Sequence, residues 1–182
     1  MRRILPLLFL SVALAGWRDT SRKTVVLVPI GPVPADLLAQ LQRELPPFEN
    51  RDVAIAAEIP RPAAAFDAGR QQYRGGALLE ELERRDIAGA DRVVGLIDAD
   101  VYAPGLNFIF GQAMKPGRFA VVALPRLRAR PERVLKVTVH ELGHSFGFAH
   151  CSDTNCVMRF ANAVGDLDRQ GFRYCALERR PR

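Results

Sequence analysis

The sequence predicts an α+β domain with an α/β-like core: one twisted, mixed β-sheet and, late in the chain, a long helix that carries the histidines. Three observations support that expectation. Apolar runs of strand length alternate with segments of helical period over residues 24–100, two further strand-like runs follow with no helix between them, and all three histidines of the 182-residue chain fall between positions 140 and 150. Alternating strands and helices favour right-handed crossovers and parallel pairing, whereas strands joined by a short turn pair antiparallel.

"KTVVLVPIG" reads as the first strand, and "PADLLAQLQREL" follows with Leu37, Leu38, Leu41 and Leu45 at helical spacing. "RDVAIAAEIP" reads as the second strand. "GALLEELERRDIAG" is the second helix, with Glu80 and Arg84, then Glu81 and Arg85, four apart and a glycine near its end. "DRVVGLIDAD" is the third strand. "LNFIFGQA" and "GRFAVVALPRL" are separated by "MKPG", a break short enough for antiparallel neighbours. Pro131 suits a first helical position and Glu132 a first turn, so a helix starts there with the apolar stripe Leu135, Val139, Leu142 and Phe146. Its "VLKVTVH" stretch is β-branched and by propensity resembles a strand; the spacing of the histidines decides for helix. "VGDLDRQGFRYCALE" reads as a helix interrupted near Gly171 that returns Cys175 toward Cys151 and Cys156, and "RPAAAFDAG" as an exposed connection.

The chain opens on "MRRILPLLFLSVALAGW", two arginines followed by an apolar run from Ile4 to Ala15, with Ala13 and Ala15 spaced as at a signal cleavage site. This predicts a signal peptide over residues 1–15, a linker over 16–23, one domain over 24–178 and a basic tail over 179–182. The product is expected to be periplasmic or secreted; the alternative is an uncleaved N-terminal anchor. Trp17 stands where a lipoprotein would carry its lipidated cysteine, so no lipid is expected. After cleavage about 165 residues remain, within the usual span of one domain. No later segment is long and apolar enough to span a membrane. The net charge of +6 is spread over scattered residues with no recognition motif, so no nucleic-acid partner is expected, and a solvated face or attraction to acidic substrates accounts for it. Nothing in the sequence sets the oligomeric state.

"HELGHSFGFAH" has the form H-E-x-x-H-x-x-G-x-x-H. On a helix His140 and His144 lie one turn apart on one face, so both imidazoles reach one ion. A zinc site that performs chemistry takes three protein ligands and keeps a fourth position open. His150 supplies the third if Gly147 ends the helix in a left-handed conformation and turns the chain back. Glu141 is then placed to take a proton from a water whose pKa zinc lowers to about 7. Five specified residues at fixed spacing arise by chance in a chain this short on the order of once in 100,000, which sets aside the reading of ordinary core histidines. Val137, His140, Glu141 and His144 are expected to face a cleft.

This long motif, with Met158 following in "CVMRFAN", looks like the metzincin signature. It resembles the archaemetzincins in particular, whose pattern runs from the third histidine straight into cysteine, four residues, Cys-x-Met, a spacer and Cys-x-x-Cys. Here "HCSDTNCVMRFAN" supplies Cys151, Cys156 and Met158, and "FRYCALE" supplies Cys175, with Glu178 where the fourth cysteine would be. The resemblance also runs through "GRQQYRGGALLEEL" and "IDADVYAPGLNFIFGQA", covering roughly residues 24–178. It implies a compact zincin-like catalytic domain, Met158 as the apolar floor of a Met-turn, one catalytic zinc, and a structural zinc held by cysteines. Three thiolates and the Glu178 carboxylate can make a four-coordinate site; in an oxidising compartment two of the cysteines can instead form a disulfide.

The expected activity is zinc-dependent hydrolysis of peptide bonds with Glu141 as general base, and "LNFIFGQA" is the strand favoured to border the cleft and pair with an extended substrate. Two alternatives share these residues: a zinc-stabilised binding protein with little turnover, and a hydrolase of a non-peptide amide. Asp98 and Asp100 invite a calcium reading, though strand-end capping suits two carboxylates better. Arg70, Gln72 and Tyr73 match the family pattern with no role that their chemistry dictates. Phe160 takes a position where many metzincins carry tyrosine, so no phenol is assigned to the reaction.

Overall fold

The computed structural model describes residues 23–175 apart from 86 and 129; the leader, Glu178 and the basic tail lie outside the described residues. The elements in chain order are β1 (Thr24–Ile30), α1 (Ala35–Glu44), α2 (Pro46–Glu49), β2 (Asp52–Ile55), β3 (Phe66–Asp67), β4 (Gln72–Arg74), α3 (Gly75–Arg84), β5 (Arg92–Ile97), β6 (Val101–Tyr102), β7 (Gly111–Ala113), β8 (Phe119–Ala123), α4 (Pro131–Ser145) and α5 (Val164–Arg169). The main sheet has the order β2-β1-β5-β8-β7. Its first four strands are parallel, and β7 lies antiparallel to β8 at the edge.

Because successive side chains of a strand point to opposite faces, the central strands feed two cores. Val25 and Leu27 of β1 pack with Leu38 and Leu41 of α1 and Leu142 of α4. Val26, Val28 and Ile30 pack on the other face with Leu78, Leu79 and Leu82 of α3. Burial on both faces is why these strands read as unbroken apolar runs. Among the described residues no helix is long and apolar enough to cross a membrane.

The structure departs from the sequence reading in four places. Only Gly111–Ala113 of "LNFIFGQA" is strand; residues 103–110 form an irregular segment held partly by side chains of β4 and its approach. A second, three-stranded sheet, β3-β4-β6, covers this region and has no counterpart in the periodicity, since its strands have only two or three residues. "RPAAAFDAG" is largely exposed, as expected, but it is not without structure: a 3₁₀ turn at Ala63–Ala65 buries Ala65. The C-terminal helix stops at Arg169. Gly171 then passes against the Asn155 carbonyl, and Arg173 bridges Cys156 as extended chain. On α3, Glu81 takes both Arg84 and Arg85.

α4 is enclosed along its length. In its first turn Arg133 forms a two-pronged ion pair with Asp168, at 2.7 and 2.6 Å. At its other end the guanidinium groups of Arg51 and Arg92 stand against the Phe146 ring, at 4.5 and 4.6 Å from its centroid, so two cations sit where the helix dipole favours them. Behind the helix, the Tyr174 hydroxyl lies 2.8 Å from Glu49 Oε1 and 2.7 Å from the Val139 carbonyl oxygen. A phenol has one proton for these two acceptors. A protonated Glu49 resolves the competition by donating to the phenol oxygen while the phenol donates to Val139. Burial pushes the Glu49 carboxyl up from 4.5 to about 7, against the opposing effects of Tyr174, Arg51 and Arg92.

A carboxyl whose pKa is raised by folding stabilises the fold below its unfolded value, and that stability is lost as pH rises through the folded value. Glu49→Gln is therefore expected to be more stable than the native chain at pH 8 by about 1–3 kcal/mol and to lose the excess near pH 4.5. Denaturant unfolding of both at saturating zinc checks this; parallel stability curves from pH 4.5 to 8 would contradict it.

Candidate active site

The third histidine reaches the first two because of how α4 ends. Gly147 adopts φ +93°, in the left-handed region. Its N–H donates to the His144 carbonyl at 2.8 Å, and the Phe148 N–H to the Gly143 carbonyl at 3.0 Å. This is the paired closure of a Schellman cap, which reverses the chain and brings His150 back over the helix. His144 Nε2 and His150 Nε2 are 3.1 Å apart. The His140 ring centroid is 4.6 Å from that of His144 and 5.4 Å from that of His150.

Two of the rings are oriented by carbonyl oxygens. His140 Nδ1 donates to the Val157 carbonyl at 2.7 Å and His144 Nδ1 to the Phe148 carbonyl at 2.8 Å. A carbonyl accepts only, so both Nδ1 atoms carry the proton and both Nε2 lone pairs are free for a metal. Burial pushes the His140 imidazole down to about 3, and it lowers His144 and His150 too, with the Lys115 charge adding to the effect on both. All three are neutral ligands at physiological pH. Their ligand atoms lie within 4.8 Å of one another, and two atoms bound to tetrahedral zinc would be about 3.3 Å apart, so the donor set fits zinc.

Beneath the rings the chain crosses α4 at Val157 and Met158, both fully buried. The Met158 carbonyl accepts the Cys151 N–H at 2.9 Å, which closes the loop that begins at His150. Gln170 Nε2 donates to the Val157 carbonyl alongside His140. Gly143, inside the motif, leaves room for the Met158 sulfur and the Tyr174 ring, which a Cβ there would strike. Phe160 meets the His150 ring edge-on at 5.0 Å.

Glu141 is 5% exposed, and burial pushes its carboxyl up to about 8. A dication among the neighbouring histidines would favour the ionised form. The carboxylate fits only because residue 111 on β7 is glycine: a Cβ there would lie 2.6 Å from Glu141 Cγ, 2.7 Å from Oε1 and 2.8 Å from the Val121 carbonyl.

His140, Glu141, His144, His150 and Val137 all line one cavity of 550 Å³, as the sequence predicts. Its far wall comes from residues 103–113, including Phe108 and Phe110, and its mouth carries Lys115 and Arg159. The Ala123 N–H donates to the Phe110 carbonyl and the Met114 N–H to the Phe119 carbonyl. By antiparallel alternation, the N–H and C=O groups of Gly111 and Ala113 therefore face the open edge.

Cys151, Cys156 and Cys175 also converge. Their sulfurs lie within 4.8 Å of one another, with Cys151 Sγ and Cys175 Sγ 3.6 Å apart, and the Cys175 N–H donates to Cys156 Sγ at 3.2 Å. Two thiolates on tetrahedral zinc stand about 3.8 Å apart, so this donor set fits a metal as well. Burial pushes the Cys156 thiol up from its ordinary value. Asp98 and Asp100 join neither group: Asp98 is exposed, and Asp100 pairs with Arg126. The sequence reading assigned nothing to Gly111, Gly143, Gln170 or Tyr174. A glycine in a strand pattern, at Gly111, is the one local signal that could have drawn attention.

A mixed sheet whose edge strand borders a cavity with two neutral imidazoles and a buried carboxyl from one helix and a third imidazole from the loop beyond it defines a zinc-dependent metallopeptidase domain. The chain matches the family model for peptidase family M54 over residues 35–179. An archaemetzincin of Methanopyrus kandleri is 48% identical over 120 residues, 63% of this chain and 67% of that one. The crystal structure of the Methanopyrus kandleri archaemetzincin superposes with a TM-score of 0.78 at 37% identity, covering 88% of this chain and 93% of that one. A zinc-dependent peptidase from Methanocorpusculum labreanum gives a TM-score of 0.76 at 25% identity, covering 85% and 97%. This chain belongs to peptidase family M54 and is a zinc metallopeptidase.

Gly111→Ala is expected to displace Glu141 and lower peptide hydrolysis by about 100-fold or more while zinc content stays that of the native chain. Native turnover in the variant would contradict the close approach of β7 to Glu141.

Proposed function

We propose that His140, His144 and His150 hold the catalytic zinc and that Glu141 is the general base in hydrolysis of peptide bonds. The observation that carries this reading is the convergence of three imidazoles, two of them with Nε2 lone pairs left free by their Nδ1 hydrogen bonds, beside a buried carboxyl in one cavity. When bound, zinc supplies Lewis acidity that acidifies water and polarises the scissile carbonyl. Glu141 takes the proton of the attacking water and passes it to the nitrogen of the leaving amine. Its packing against Gly111 fixes the direction from which the proton is taken.

An extended peptide is the substrate form that suits the cleft. The open-edge groups of Gly111 and Ala113 are spaced to pair with a strand, and the apolar wall made by Phe108, Phe110, Val137 and Leu167 suits an apolar side chain. The binding-protein alternative is less well supported, since among the described residues no fourth ligand joins the histidines.

Cys151, Cys156 and Cys175 hold a second, structural zinc in this reading, with Glu178 as the remaining ligand. The 3.6 Å approach of two sulfurs supports it, and a disulfide is the competing state. The charged and apolar pattern of residues 1–15 supports export.

Glu141→Gln is expected to retain zinc and lose about 100- to 10,000-fold of its activity on denatured casein; native activity in that variant would remove Glu141 from the reaction. Metal analysis is expected to give two zincs per native chain and one in Cys175→Ser, and one zinc in both would rule out the cysteine site.

A further inference from the structure

The cleft wall between β6 and β7 has little regular backbone pairing. Within residues 103–110 the Leu106 N–H donates to Ala103, the Ile109 N–H to Val101, and the Phe110 carbonyl accepts from Ala123. The Leu106 and Asn107 carbonyls are held by side chains instead. Gln72 Nε2 donates to the Asn107 carbonyl at 2.9 Å and to Asp100 Oδ2 at 2.9 Å. Arg70 Nε donates to Gln72 Oε1 at 2.8 Å, and its Nη2 reaches the Leu106 and Asn107 carbonyls at 3.2 and 3.1 Å. Gln72 is 7% exposed, and both its oxygen and its amide nitrogen are engaged, so its orientation is fixed.

Asp100 joins this set to a second anchor. Its carboxylate accepts Arg126 Nε at 2.7 Å and Nη2 at 2.6 Å, a two-pronged pair that fixes the guanidinium plane. That guanidinium lies over the Phe108 ring, 4.0 Å from its centroid. Phe108 lines both the cavity over the histidines and the smaller one that adjoins it. The polar residues therefore grip the wall at two successive carbonyls and one aromatic ring while touching none of the metal-binding side chains.

We infer that Arg70, Gln72, Asp100 and Arg126 are positioning residues for substrate, holding residues 103–110 in the shape that receives a peptide while leaving the metal centre to itself. This rests on the peptidase reading of the cleft. It gives a role to the Arg70 and Gln72 segment and to Asp100, which the reaction does not otherwise use.

The test separates the wall from the metal with two hydroxamates on the zinc-loaded chain. Acetohydroxamate needs only the metal, whereas a hydroxamate carrying a Leu-Phe dipeptide also needs the wall. By calorimetry, Gln72→Leu is expected to weaken the peptidyl hydroxamate about tenfold or more and to leave acetohydroxamate within about twofold. Arg126→Met, at an exposed position that cannot compromise the core, is expected to do the same through Phe108. Glu81→Gln, which breaks ion pairs on α3, serves as the control and leaves both affinities unchanged. Equal weakening of the two ligands, no weakening of either, or the same selective loss in the control would overturn the inference. Failure of the native chain to bind either hydroxamate would instead overturn the zinc-peptidase reading, and the inference with it.

Discussion

The Val157 carbonyl accepts from His140 Nδ1 and from Gln170 Nε2, and the next carbonyl, of Met158, accepts from the Cys151 N–H. Much of the site's geometry depends on where these two peptides lie. They fix the tautomer and tilt of the first histidine, and they close the loop that presents the third. Histidines four apart on a helix need no further help to share a face, but a third ligand six residues on must be delivered by tertiary structure. The Schellman cap at Gly147 starts the return, and the crossing under α4 finishes it. The cysteine cluster lies directly beyond His150, so anything that binds its thiols also steadies the third histidine.

Desolvation sets the chemistry of the groups around α4. The same burial that holds the imidazoles neutral pushes the Glu141 carboxyl up, with no charged group among the described residues to offset it. A nearby dication favours the ionised form of such a carboxyl, which is the form that takes up a proton. Glu49, on the other side of the helix, is buried beside Tyr174 and has no catalytic use; it ties α2 to the segment carrying Cys175 across a separation of 125 residues. Two buried carboxyls a helix apart thus have different consequences, one for proton transfer and one for stability.

Much of this was legible in the sequence where a single short-range rule dominates. The strand runs of β1, β5 and β8, the leucine stripe of α1 and the start of α4 at Pro131 follow from periodicity and capping. The convergence of the three histidines follows from spacing once Gly147 is read as a left-handed turn. What escaped depends on contacts between distant residues. β3, β4 and β6 are too short to set a period, and the stretch before Gly111 looks like strand although Gln72 and Arg70 hold its carbonyls instead of a neighbouring ladder. Gly111 and Gly143 are meaningful only beside Glu141 and Met158, which lie far from the first and fifteen residues from the second. The helix break expected near Gly171 comes at Arg169, and the extended path of Arg173 beyond it is set by pairing with Cys156.

The measurement that bears most directly on the central claim is anomalous diffraction at the zinc absorption edge from crystals of the zinc-loaded chain. The account predicts a peak about 2.0–2.1 Å from the Nε2 atoms of His140, His144 and His150, with no fourth protein ligand and Glu141 beside it but not bound to it. Zinc absent from that point, or coordinated there by Glu141, would contradict it.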